Sequence, residues 1–224
     1  MQKIALVCLF LILAAGALDA ATKPHVVTFG AWHIVKWFSP SSEDRAVELK
    51  VRAILVDGKV KEYTTGAAHD VTERLFVVQR VFRVNDALPG ENSNVPQWRW
   101  ERGGWMSVDR VSGRVSKISL PLLDPFHSVV SWYRDHVAYC GVSDDRNKIY
   151  AMVIQLGRRK PLLRKYLKVA ELSETPGLAC PAPRWERKPA RVSFEVASAD
   201  GLIYTLETRA LQLTEESEPQ ESPD

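Results

Sequence analysis

The chain has 224 residues, 46% of them hydrophobic, and a formal charge of +3. That length and apolar content exclude a disulfide-dense mini-protein and a wholly disordered chain. The small net charge makes attraction to anionic surfaces a bias and no more.

From the N-terminus, Met1-Gln-Lys3, the apolar run Ile4 to Ala15 and the small residues around Ala17 to Ala21 have the layout of a secretory signal peptide. The run falls short of the ~20 residues a spanning helix needs. Cleavage is expected after Ala20, with Ala17 as the alternative. Residues 1–20 are then a leader and 21–213 a single all-β domain, with no transmembrane segment left after cleavage. The location implied is exported, periplasmic or extracellular. Two cysteines then remain, Cys140 and Cys180. In an oxidising compartment they either join, closing a loop of about 40 residues, or Cys140 is simply a small buried strand residue.

His33 to Phe38 reads as a strand. Glu48 to Val56, Asp57-Gly58 and Lys59 to Tyr63 read as a hairpin. Arg74 to Val84 is expected to pair with the strand around Trp98, across a loop rich in Asn, Pro, Gly and Ser. Trp105 to Val108 leads through Asp109 to Gly113 into Arg114 to Leu120, with Gly113 supplying a positive φ. Ser131 to Leu163 reads as strand, turn, strand, turn, strand. Leu162, Leu163, Tyr166, Leu167 and Ala170 also fit helical spacing, so a helical turn or two is expected there.

Some of this pattern repeats. Pro96-Gln-Trp-Arg-Trp-Glu-Arg102 recurs as Pro183-Arg-Trp-Glu-Arg187, and Ser131-Trp-Tyr-Arg134 opens the central stretch. Trp100, Trp132 and Trp185 thus mark the starts of like units. The fold expected is all-β, of antiparallel repeated four-stranded units, a small or partial β-propeller-like array, with a β-barrel or β-sandwich as the alternative.

Ser131-Trp132, Asp135, Ala138-Tyr139, Ser143-Asp144-Asp145, Asn147, Ile149-Tyr150 and Gly157 together resemble one blade of the TolB-type and WD-repeat-like propellers. The resemblance covers about 35 residues closely and implies a four-stranded blade there. The chain as a whole is similar to exported bacterial proteins. At this length a propeller would hold few blades, so a second copy closing the ring is a further reading.

No G-x-S-x-G elbow, H-E-x-x-H, phosphate-binding glycine loop or C-x-x-C occurs, and no cofactor or metal is expected. The pairs His69-Asp70 and Asp135-His136, and Asp124 near His127, read as turn caps or ties between units. Adjacent strand residues face opposite ways, so neither adjacent pair makes a dyad by itself. Asp144, Asp145 and Asn147 read as a β-turn in preference to a calcium loop. Glu101 and Glu186, beside Arg102 and Arg187, are expected to form ion pairs between units.

Two surfaces are candidates for binding. Trp98, Trp100 and Trp105 would form an aromatic platform for sugar rings or a protein, or else fill the core. The basic run Arg158, Arg159, Lys160 and Arg164 would meet an anionic polysaccharide, an envelope surface or an acidic partner, or else protect a sheet edge. Residues 214–224 form an acidic tail with five carboxylates, expected to be disordered. Removing those five negative charges from +3 leaves the preceding residues at +8.

The function expected is an exported, non-enzymatic binding or scaffold domain of the cell envelope. Its partner would be a protein or an anionic glycan. The alternative is an envelope glycan hydrolase or lyase using carboxylates or histidines in a cleft. Nucleic acid is not an expected partner, and oligomeric state is left open.

Overall fold

The computed structural model describes residues 23–38, 46–86, 97–145, 148–167, 181–195 and 202–206. Among them are fourteen strands in three antiparallel-dominated sheets, and no helix long and apolar enough to cross a membrane. The leader and the acidic tail lie outside the described residues.

The first sheet holds β1 (Val27–Phe29), β2 (His33–Phe38), β3 (Ala46–Val56), β4 (Lys59–Asp70), β5 (Leu75–Asn85), β6 (Trp98–Asp109) and β7 (Val115–Lys117). β1 and β2 pair with successive stretches of the same edge of β3. β3 to β6 then form a meander, closed into a ring where β2 pairs in parallel with β6 at Trp37 and Trp100. The β3–β4 turn is Asp57-Gly58, as its chemistry predicts, and both residues have positive φ. This ring is the barrel alternative and not a blade.

Gly113 has φ of 62°, as expected of the turn from β6 to β7. A Cβ there would also lie 2.5 Å from Val56 Cγ1, so close packing adds to the demand for glycine.

The second sheet is a four-stranded meander: β8 (Val130–Tyr133), β9 (His136–Val142), β10 (Ile149–Gln155) and β11 (Leu163–Leu167). Its first three strands, β8 to β10, fall where the sequence placed them. The helical spacing at 162–170 is overturned for residues 163–167, which pair with β10 from Val153↔Leu163 to Ile149↔Leu167. Strand pairing puts Leu163 and Leu167 on one face, against the core, and Arg164 and Tyr166 on the other. Lys168 to Ala170 lie outside the described residues.

The third sheet contains β12 (Arg184–Arg187), β13 (Ala190–Phe194) and β14 (Leu202–Leu206). Trp185 Nε1 donates to Ser131 O (3.2 Å), and its ring stacks on Tyr133, linking β12 to β8.

Sheet two is covered on both faces, which explains the near-continuous burial of β9 and β10. Towards sheet three it presents small residues, Ala138, Cys140 and Ala151, with Ile149 and Val153, against Val192, Phe194 and Trp185. Towards sheet one it presents Val137, Tyr139, Met152 and Ile154, against Trp105, Leu120, Leu122 and Leu123. Tyr139 is fully buried, and its hydroxyl donates to Pro121 O (2.6 Å). Burial pushes that phenol well above its ordinary range. A Cβ at Gly141 would lie 2.9 Å from that of Leu122, so glycine is needed where this segment crosses β9.

Trp132 and Trp185 each lie on the first strand, in chain order, of a four- and a three-stranded sheet, whereas Trp100 sits on the fifth strand of the ring. The ion pairs expected of the repeat also differ. Glu101 accepts from Arg99 Nε (2.7 Å), two residues back on its own face, while Arg102 points away and donates to Gln79 Oε1 (3.1 Å). Glu186 is exposed on β12.

Candidate binding surface

The long β5–β6 pair positions the aromatic cluster. Direct pairing of Arg83 with Trp100, and of Asn85 with Trp98, sets both indoles on the face that carries Arg83. The Arg83 guanidinium lies 5.5 Å from the Trp98 ring and 5.6 Å from the Trp100 ring. Trp98 is 57% exposed, and Tyr63 meets Trp100 edge-on at 5.2 Å. Arg99, between the two indoles in sequence, points the other way and binds Asp86 and Glu101.

Trp105 does not join them. The pairing register slips between Gln79 and Val81, opposite Gly103-Gly104, so Trp105 pairs with Gln79 and keeps the sheet face of Trp98 and Trp100, but further along β6. There it packs against Trp132 at 5.3 Å in the seam between sheets one and two. It is a structural residue, not part of the platform. Gly103-Gly104 signalled the slip, but nothing local in the sequence marked Trp132 as the ring that would cover Trp105.

The basic run lies elsewhere. Arg158, Arg159 and Lys160 are exposed in the β10–β11 connection after Gly157, and Arg164 is on β11 with its guanidinium 5.1 Å from the Tyr150 ring. Tyr150 in turn meets Tyr166 at 5.9 Å. These residues belong to the second sheet and Trp98 to the first, so they form two surfaces.

The arginines differ in whether a carboxylate meets them. Arg74, Arg80, Arg99, Arg110 and Arg184 each have a carboxylate: Asp109, Glu62, Asp86 with Glu101, Asp70 and Glu195. Arg83 and Arg164 contact rings, and among the described residues no carboxylate pairs with either. A guanidinium near a ring and without a carboxylate retains N–H groups that can grip a carboxylate or phosphate with two bonds.

The histidines and aspartates serve as ties. His69 Nε2 donates to Arg134 O (2.8 Å), and its ring stacks on Trp132, joining β4 to the β8–β9 turn. Asp70, its neighbour, turns away to Arg110. Asp135 and His136 do touch, Nδ1 to Oδ1 at 2.8 Å, because Asp135 lies in the turn before β9 and not on a strand. Gln155 Nε2 also donates to Asp135 (2.8 Å). Burial works to raise the Asp135 carboxyl, but Gln155 and His136 outweigh it and hold it below the ordinary carboxylate value. Asp124 is similar: burial raises it, while His127 at 2.8 Å and the Phe126 N–H bring it below its usual value. Ser143 closes the β9–β10 turn by accepting from Lys148 N–H.

Among the described residues no group of three or more His, Cys, Asp or Glu is placed to hold a metal ion. Cys140 is buried on β9, and Cys180 lies outside the described residues. No family model, curated protein or solved structure matches the chain.

Proposed function

We propose that this protein is an exported, non-enzymatic binding domain of the cell envelope, and that its ligand is an anionic glycan held at Trp98, Arg83 and Trp100. The observation that carries this reading is the pairing of an exposed indole with an arginine that has ring contacts but no carboxylate partner among the described residues. The indole offers a flat face to a pyranose ring, and the guanidinium edge offers two donors to an acid group. The +8 charge ahead of the tail draws such a polymer in. Arg158, Arg159, Lys160 and Arg164 extend the attraction without adding shape. The same reading includes processing after Ala20 and a Cys140–Cys180 disulfide formed after export.

Calorimetry of the processed chain with a polyuronate, and with a neutral dextran of equal length, tests it. The polyuronate is expected to bind and the dextran not. Trp98→Ala and Arg83→Ala should each weaken binding by about tenfold, the scale of one lost stacking or charge-assisted contact. Equal binding of the two polymers, or unchanged affinity in both variants, would overturn the proposal. Capture of a protein partner through Trp98 in place of the glycan would do so too.

A further inference from the structure

A second arginine stands out. Arg52, on β3, lies with its guanidinium 3.7 Å from the Phe29 ring and 4.3 Å from the Trp32 ring. Phe29 is anchored below, packing on Phe76 at 5.5 Å at the edge of the cluster of Ile54, Phe76, Val78, Met106 and Val108. Trp32 lies in the break between β1 and β2 and is 45% exposed. Arg52 Nε is buried and has no hydrogen-bond partner, and among the described residues no carboxylate pairs with this guanidinium. Desolvation is the cause that makes it a poorer base than an ordinary arginine.

A cation held between rings, partly stripped of water and given no counter-charge, is short of an anion. Five other arginines among the described residues are supplied with one. We infer that Phe29, Arg52 and Trp32 form a second binding site, separate from Trp98, for a carboxylate carried on a sugar ring. Lying over the Phe29 and Trp32 rings with no carboxylate beside it, the guanidinium suits a planar oxyanion that takes two of its N–H groups. The exposed part of the Trp32 indole then lies beside the body of the ligand.

A sugar acid fits better than an extended peptide. Peptide capture by strand addition needs a free sheet edge. Here one edge of β3 is taken by β1 and β2 and the other by β4, Gly30 N–H donates to Ala53 O (2.9 Å), and the unpaired edge of β1 is only three residues long. Ring stacking and charge are what the site offers.

The test is calorimetric titration of the processed chain with a short oligogalacturonate, its fully methyl-esterified counterpart, and a peptide ending in a free carboxylate. Four proteins are compared: wild type, Arg52→Lys, Trp32→Ala and Arg83→Ala. Arg52→Lys keeps the charge and the aliphatic stem but loses the planar fork. Trp32→Ala removes an exposed ring outside any strand, and thermal melting checks that both variants fold. The acid is expected to bind and the ester not, with Arg52→Lys and Trp32→Ala each weakening it by about tenfold. In Arg83→Ala that contribution should persist. Loss confined to Arg83→Ala would overturn this inference and leave the Trp98 reading intact. Loss confined to the other two variants would do the reverse. Equal binding of the ester, or preference for the peptide, would overturn the sugar-acid assignment.

Discussion

The closed ring and the four-stranded sheet behind it use aromatic residues in opposite ways. In sheet two Tyr139 is sealed between layers, and its hydroxyl is satisfied by Pro121 O. In the ring, Trp98 and Trp32 reach solvent, each beside an arginine. The sheet covered on both faces gives β9 and β10 almost wholly to packing, and its exposed charges lie in the β10–β11 connection and on β11. The ring pairs its strands around a closure and leaves one side of β6 to the surface. On the proposed reading, stability and recognition fall to different sheets, with His69, Trp105 and Trp132 as the seam between them.

That division can be broken most sharply at Tyr139. Tyr139→Ala leaves a cavity between two layers and an unsatisfied Pro121 carbonyl, and should cost about 3 to 5 kcal/mol in a chemical denaturation curve. A loss under about 1 kcal/mol, within the range of ordinary surface changes, would mean that sheet two is not the stabilising layer.

The proposed Cys140–Cys180 bond comes next in size. A closed loop of about 40 residues restrains the unfolded chain by roughly 3 to 4 kcal/mol, so reductant should lower the melting temperature clearly. An unchanged melt, or two cysteines labelled in the denatured, unreduced protein, would remove the bond from the account.

Asp124 provides a smaller effect. Asp124→Asn withdraws the charged partner of His127, weakens the Phe126 N–H contact, and should cost about 1 to 2 kcal/mol near neutral pH. The carboxyl is lowered in the folded state, so its contribution is present above the unfolded carboxylate value near 4 and lost as pH falls through the lower folded value. Urea midpoints from pH 7 down to pH 3 should therefore converge for wild type and variant at the acid end. Parallel curves would show that the Asp124 charge is not the source. Smallest of all is the stability change from Trp98→Ala, expected within about 0.5 kcal/mol at an exposed site even though binding is weakened. A large loss there would move Trp98 from the recognition side to the packing side.

The sequence, by itself, determined the local elements. Alternating apolar residues and the turn chemistry of Asp57-Gly58 and Asp109 to Gly113 fixed strands and hairpins, because period and positive φ are properties of a few neighbouring residues. It also marked out Trp98 and Trp100 as one face of a strand. Only the tertiary structure decided that Trp100 closes a ring instead of starting a blade, that Trp105 is covered by Trp132 of another sheet, and that Arg52 meets Phe29 and Trp32. Those outcomes depend on partners distant in the chain. A one-residue slip reverses every later side chain in a strand, and local pattern carries no record of which distant strand will be its neighbour.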